Sequence, residues 1–178
     1  MSLLIIDTST EKSQVILAQD VETFEVKKLP SGFKSSHLLV STIESFCQDF
    51  DKIAITSGPG SYTGIRVAQA VAKGLAFPKK LPIIELCSLV GFIPPMPGRY
   101  LSLIDARGAG AYILLQELKE GKITQLGSPE LVTLEELPMH LFTCKGVVGP
   151  NLTRFDLLSC HETYADPVQL VKFALAKI

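Results

Sequence analysis

One order of predicted elements occurs twice in this chain of 178 residues, and it limits the possible folds more than any other feature of the sequence. An apolar run ending in aspartate, residues 3–7, is echoed by residues 101–105. In each half, two further candidate strands, a helix, another strand and a second helix follow. The short turns between the first three strands indicate an antiparallel meander at the start of each half. We therefore predict an internal duplication.

The predicted elements divide the chain at a proline-rich segment. The predicted strands are residues 3–6, 13–18, 22–27, 52–56, 82–86, 101–105, 112–118, 123–126 and 146–149. The predicted helices are residues 34–50, 63–76, 133–142 and 167–177. Three prolines within residues 94–97 exclude a helix there, so we place the boundary in this segment. The predicted domains are an N-terminal lobe, 1–95, and a smaller C-terminal lobe, 96–178.

The net charge and the lengths of the apolar runs limit which partners the chain can bind and where in the cell it can lie. The formal net charge is −1, so gross positive charge cannot attract this chain to nucleic acid or acidic lipid. The opening residues lack a basic leader and reach Asp7 after a short apolar run, so we expect no signal peptide. No apolar run approaches the roughly 20 residues that span a bilayer. We predict a cytoplasmic protein that does not enter a membrane.

The residues that could ligate metal are scattered. His37, His140 and His161 form no H-x-x-x-H pair, so no helix presents two imidazoles on one face. The four cysteines, Cys47, Cys87, Cys144 and Cys160, form no C-x-x-C pair. We therefore expect reduced thiols and no metal site.

The second predicted helix is unusual for its small residues. Gly64, Ala68, Ala72 and Ala76 recur at every fourth position and form a narrow stripe. A second face contains Val67, Ala70, Val71 and Gly74. Because so few positions are polar, we expect one face to pack on a sheet and the other against another helix, within the chain or in a partner. We predict that the stripe is covered by a partner protein.

Two loops that follow strands are candidates for phosphate binding. Asp7, Thr8, Ser9 and Thr10 offer hydroxyl and N–H groups that could hold a magnesium–phosphate. Residues 57–64, SGPGSYTG, open a helix, where N–H groups favour anions. This segment is not a Walker A motif, since it lacks the G-K-[ST] ending. The glycines also fit a tight turn with Thr63 as helix cap, and this structural interpretation is favoured.

Several of these segments together resemble one known family. The residues that carry the resemblance are 5–10 (IIDTST), 35–39 (SSHLL), 53–66 (IAITSGPGSYTGIR) and 72–76 (AKGLA), with weaker likeness at 88–89, 103–107 and Tyr112. They are similar to the TsaB (YeaZ) family, a bacterial subunit of the machinery that makes threonylcarbamoyladenosine in tRNA. The resemblance implies an α/β fold of the duplicated actin-like, or ASKHA (ribonuclease H-like), type, with two lobes of mixed sheets flanked by helices.

The resemblance also implies a function and a set of partners. The sister subunit TsaD has the same fold, holds a metal through paired histidines and transfers the threonylcarbamoyl group to the adenosine beside the anticodon. TsaB-like chains are regarded as non-catalytic: they form a heterodimer with TsaD and help to recruit the ATPase TsaE. We expect a homodimer when the chain is isolated, contact with tRNA only through the complex, and no cofactor of this chain's own. ATP at a subunit interface is left open.

Family members pair through two helices of the N-terminal half, which correspond here to residues 36–50 and 63–76. The predicted partner-binding residues are His37, Leu38, Ser41, Thr42, Ser45, Tyr62, Thr63, Arg66, Val67, Ala70, Lys73 and Gly74. Asp7, Thr8, Ser9 and Thr10 become a candidate vestigial phosphate loop, and no catalytic or metal-binding residue is predicted. The alternative is a nucleotide-binding phosphotransferase of the same fold, with Asp7, Thr8 and Thr10 around magnesium–phosphate.

Overall fold

A computed structural model describes residues 2–30, 34–157 and 159–178. The strands are β1 Leu3–Asp7, β2 Gln14–Ala18, β3 Phe24–Lys28, β4 Lys52–Gly58, β5 Ile83–Cys87, β6 Gly98–Asp105, β7 Ala111–Lys119, β8 Lys122–Gln125, β9 Glu130–Val132, β10 Gly146–Gly149 and β11 Cys160–Glu162. The helices are α1 Lys34–Glu44, α2 Tyr62–Lys79, α3 Leu137–Leu141 and α4 Pro167–Leu175. Short 3-10 turns occupy Ser88–Gly91, Arg107–Ala109 and Leu152–Phe155.

The first unit is built on a five-stranded mixed sheet in the order β3-β2-β1-β4-β5. Strands β1, β2 and β3 pair antiparallel, whereas β1 with β4 and β4 with β5 are parallel. Strand β1 lies at the centre and is buried throughout, as expected for a run of consecutive apolar residues. One core of this unit contains sheet residues such as Leu4 and Ile6 together with Leu39 of α1 and Ala68 of α2.

The second unit repeats this arrangement. Its sheet has the order β11-β10-β6-β7-β8, and β9 adds to β7. Strand β6 occupies the central place that β1 has in the first sheet, with an antiparallel neighbour, β7, and a parallel neighbour, β10. The predicted duplication, including the meander at the start of each half, is therefore confirmed.

The two units differ from the predicted domains 1–95 and 96–178. One compact unit contains residues 1–88 together with Pro167–Ile178, and the other is Leu89–Asp166. The proline-rich segment therefore lies inside the second unit. Helix α4 belongs with the first unit because it packs on β5, where the Lys177 ammonium donates to the Glu85 carbonyl oxygen at 2.7 Å.

Several predicted helix ends are wrong. Helix α1 ends at Glu44 rather than residue 50, and Cys47 beyond it has a left-handed φ of 51°. Helix α2 continues through Pro78 to Lys79, since proline in the last turn breaks few helical hydrogen bonds. The predicted helix 133–142 is reduced to α3, Leu137–Leu141. Strands β9 and β11, at three residues each, were not predicted.

Candidate partner interface on helices α1 and α2

Helix α2 has a buried face made of small residues. Ala68 and Ala72 are fully buried, and Ala76 almost so, in the core that the first sheet supplies. Small side chains let a helix backbone approach a sheet closely, so this face is occupied within the unit. The prediction that a partner covers the stripe of Gly64, Ala68, Ala72 and Ala76 is therefore wrong: the sheet of the same unit covers it.

The opposite face of α2 is accessible, and it contains the predicted partner-binding residues of this helix. Its exposed or partly exposed members are Tyr62, Thr63, Arg66, Val67, Ala70, Lys73 and Gly74. A Cβ added at Gly74 would meet no atom within 4 Å. A large aromatic side chain, Phe77, lies near the end of the helix and is also exposed. This face therefore combines small and apolar side chains with free surface.

The predicted residues of α1 are accessible as well. His37, Leu38 and Ser41 of α1 are exposed, as is Ser45 directly after it, and Thr42 is partly exposed. Leu38 is one of the larger apolar side chains that the first unit leaves open to solvent. Leu39 and Ile43 of the same helix are buried in the core, which fixes the side of α1 that faces outward. All twelve predicted positions thus lie on accessible surface, and their binding role stays a prediction.

Polar and cation–π contacts hold the edges of this surface. The Lys27 ammonium donates to the Ser45 carbonyl oxygen at 2.7 Å and to Ser45 Oγ at 2.9 Å, and it lies 4.2 Å from the centre of the Phe46 ring. The Arg66 guanidinium lies 5.2 Å from the centre of the Tyr62 ring. These contacts reduce the conformational freedom of the long Lys27 and Arg66 side chains.

The charge of α2 is uniformly positive. The helix contains Arg66, Lys73 and Lys79 and no acidic residue. Lys79 pairs with Asp49, in the segment after α1, at 2.5 Å. This ammonium lowers the pKa of the Asp49 carboxyl by donating a hydrogen bond and by its charge. Arg66 and Lys73 thus remain the exposed cations in the middle of the face.

The candidate phosphate loop is buried and its groups are largely used within the unit. The Asp7 Oδ1 atom accepts from the Ser9 N–H at 3.2 Å, from the Ser9 hydroxyl at 2.7 Å and from the Thr56 hydroxyl at 2.8 Å. The Thr8 hydroxyl donates to the Gly64 carbonyl oxygen at 2.7 Å. Within this loop, Asp7 Oδ2 and Thr10 Oγ1 are buried without a hydrogen-bond partner. These two oxygens are the donor atoms that a magnesium–phosphate could still use.

The glycine-rich segment lies directly against that loop. The Ser61 N–H donates to the Ser9 carbonyl oxygen at 2.7 Å. A Cβ at Gly64 would lie 1.9 Å from the Thr8 carbonyl oxygen, and one at Gly60 would lie 2.3 Å from that of Ser9. The cap of α2 is Ser61, whose hydroxyl accepts from the Gly64 N–H, and not Thr63 as predicted. The glycines thus serve close backbone approach, in agreement with the structural interpretation.

The matching strand end of the second unit has a contact that sequence reasoning missed. Asp105 ends β6 as Asp7 ends β1, and the Arg154 guanidinium donates to both its carboxylate oxygens at 2.5 and 2.7 Å. The same guanidinium donates to the Arg107 carbonyl oxygen at 2.6 Å. This aspartate is therefore paired with a cation within its own unit.

The described residues contain neither a cluster of metal ligands nor a membrane-spanning helix. Across residues 2–30, 34–157 and 159–178, no group of three or more His, Cys, Asp or Glu could hold a metal ion. His140 Nδ1 lies 3.5 Å from Glu130, and the His161 ring meets that of Tyr100 edge to face. The four cysteines are free thiols. Within these ranges, no helix has the length and apolarity required to cross a bilayer.

Comparison with known proteins shows to which family this chain belongs. The model of the family described as "TsaD: tRNA N6-adenosine threonylcarbamoyltransferase" matches residues 39–137. The "tRNA threonylcarbamoyladenosine biosynthesis protein TsaB" of Bacillus subtilis is 27% identical over 76% of this chain and 64% of its own length. The protein with the same description from Haemophilus influenzae is 34% identical over 50% of this chain and 40% of its own length. The chain belongs to this family, in its TsaB (YeaZ) group.

The fold of this TsaB-group chain is also found in a solved structure. A crystal structure from Pseudomonas aeruginosa, described as an uncharacterized protein with similarity to peptidase YEAZ, superposes with a TM-score of 0.81 at 22% identity. It covers 99% of this chain, and the match covers 92% of that chain. Together with the repeated mixed sheets, this confirms the duplicated actin-like (ASKHA) fold. The chain spans about half the length of the curated relatives that it matches.

Proposed function

We propose that this chain is a non-catalytic subunit that pairs with a TsaD-like transferase during threonylcarbamoyl modification of the tRNA adenosine beside the anticodon. Its curated relatives carry the description of threonylcarbamoyladenosine biosynthesis proteins. A TsaE-like ATPase is the further proposed member of the complex, and tRNA contacts this chain only through that complex. In this proposal the chain needs no cofactor of its own, and any ATP of the complex is bound at a subunit interface.

The observation that carries the proposal is the uncovered outer face of α1 and α2. The inner face of α2 is buried on the sheet, yet Ala70 and Gly74 on the outer face are small and exposed. Small side chains let a second helix pair approach closely. Burying apolar surface there contributes about 25 cal/mol per Å², before the costs of association.

The proposed role follows from binding rather than from chemistry. A subunit that binds the active conformation of its partner more tightly than other conformations shifts the partner toward that state. The size of the shift equals the difference between the two affinities, so contacts across α1 and α2 suffice. The transferase supplies the catalytic groups.

A charge placed in the outer face tests the pairing. Ala70 is exposed, so Ala70→Glu leaves the core intact while it introduces a carboxylate between the two subunits. We expect at least a tenfold loss of affinity for the purified TsaD-like protein of the same organism, measured by isothermal titration calorimetry. Ala72 is fully buried and is unsuitable, since a glutamate there disrupts the fold.

The matched control is Ala176→Glu, another exposed alanine changed to the same residue after α4. It is expected to bind the transferase as the unaltered chain does. Unchanged affinity of Ala70→Glu, with a normal circular dichroism spectrum, contradicts the proposed interface. Equal losses in both variants point to a general effect of charge and contradict it as well.

The alternative phosphotransferase has one observation in its favour, the buried and unpartnered Asp7 Oδ2. Titration of the isolated chain with ATP and magnesium separates the two functions. The scaffold predicts no binding at micromolar ATP. Micromolar binding that Asp7→Asn abolishes would favour the phosphotransferase, provided that the variant retains its melting temperature.

A further inference from the structure

A second accessible surface, in the unit Leu89–Asp166, has no role in the proposed function. We call it the β9–α3 surface: it comprises the exposed side chains of Leu134, Met139 and Phe142 together with the exposed carboxylates of Glu130, Glu135 and Glu136. Phe142 is 93% exposed and Met139 78%. Soluble proteins seldom leave several large apolar side chains of one short segment open to water unless they bind something.

Contacts within the unit hold these side chains together. Glu130 of β9 is paired with Ile113 of β7, so its side chain lies on the face of the sheet where Ile113 and Val132 are buried together with Leu137 of α3. His140 of α3 lies 3.5 Å from Glu130 of β9, which connects the helix to the strand. Leu137 is buried in the core beneath and anchors α3. The Glu130 end of β9 and helix α3 are therefore held together on one face of this sheet.

Local hydrogen bonds fix the position of one of these carboxylates, that of Glu136. The Thr133 N–H and hydroxyl each donate to Glu136 Oε2 at 2.9 Å. These bonds lower the pKa of the Glu136 carboxyl below its ordinary value and hold the carboxylate in place. The apolar side chains are thus accompanied by fixed negative charge.

Charge decides what kind of partner fits this surface. From residue 123 to residue 144 the sequence contains three glutamates and no lysine or arginine. The flanking Lys145 is engaged, donating to the Pro97 carbonyl oxygen at 2.7 Å. Nucleic acid and anionic lipid are repelled by such a surface, and the same surface of a second copy would bring like charges together. A protein segment with cationic and apolar faces complements this surface in both charge and polarity.

We propose that the β9–α3 surface is a docking site for a basic, amphipathic segment of a partner protein. Apolar side chains of the segment would contact Phe142 and Met139, an aromatic and a flexible thioether of the kinds that dominate interface energetics. Lysine or arginine side chains would face Glu130 and Glu135. The proposal concerns a different unit from the α1–α2 face, so either can fail without the other.

The probe is a pair of fluorescent 18-residue peptides with identical leucine faces, one with lysine and one with glutamate on the polar face. Binding of each to the full chain is measured by fluorescence anisotropy at 50 and 300 mM salt. We expect the lysine peptide to bind at least tenfold more tightly than the glutamate peptide, and its affinity to fall as salt rises. Equal affinities would overturn the proposal.

Two matched pairs of variants locate the site. Phe142→Ser should weaken the lysine peptide at least fivefold, whereas Phe77→Ser, which changes an 86% exposed phenylalanine of α2, should not. Glu135→Gln should weaken it, whereas Glu22→Gln, at an exposed site of the other unit, should not. These four side chains are exposed, so folding is preserved. Binding of the lysine peptide that is insensitive to Phe142→Ser refutes the docking site.

Discussion

Two glycines of helix α2, Gly64 and Gly74, lie in opposite environments. Gly64 meets the Thr8 carbonyl oxygen so closely that any side chain would collide with backbone, while Gly74 faces open space. Gly64→Ala should therefore lower the free energy of unfolding by about 1–3 kcal/mol or more, as overpacking does. Gly74→Ala should raise it by about 0.5–1 kcal/mol, because alanine favours the helix. Urea unfolding of both variants checks the pair, and a Gly64→Ala protein as stable as the unaltered chain contradicts the close approach.

The thiols provide a second test at the residue scale. Burial raises the pKa of the Cys144 thiol, and its Sγ donates to the His140 carbonyl oxygen at 3.4 Å. Cys47 is exposed. Since the thiolate is the reactive form, we expect iodoacetamide at pH 8 to modify Cys47 several-fold faster than Cys144. Mass spectrometry of digested samples follows both sites, and equal rates would show that Cys144 is more accessible than described.

At the scale of elements, the start of α3 depends on ionised Glu136. Its carboxylate accepts from Thr133, and its folded pKa is lowered, so this contribution to stability is complete above the ordinary glutamate pKa. It is lost as the pH falls through the folded pKa. Glu136→Gln should therefore lower the melting temperature at pH 7 and have a progressively smaller effect below pH 4.5. A difference that does not change with pH would show that charge is unimportant here.

How far the sequence predicts these elements depends on the length and pattern of each one. Helix α2 was located because small residues repeat at helical spacing, but that spacing could not say which face meets the sheet. Arg66 and Lys73 were the available signal, because charged side chains indicate the face that is exposed to water. Strands β9 and β11 are too short for alternation to be visible. The Asp105–Arg154 pair joins residues far apart in the chain, which only the fold brings together.

At the scale of the whole molecule, α4 is part of the first unit, although the whole second unit lies between them in the sequence. Leu170 and Val171 of α4 are fully buried. Leu170→Ala should lower the free energy of unfolding of the first unit by about 2–5 kcal/mol. Hydrogen exchange should rise in β5 and leave β6 and β7 unchanged, whereas Ile113→Ala in β7, at a residue buried in the core of the second unit, should give the reverse. Equal increases in both sheets would contradict the division of the chain.

The return of α4 to the first sheet has a consequence for biosynthesis. A ribosome releases the strands of the first unit long before it reaches residues 167–178, so during synthesis β5 waits without the helix that covers it. The intervening unit is uninterrupted in sequence and can reach its native state while the earlier one is still incomplete. Of the two units, the one whose strands are translated earlier is then the later to be completed.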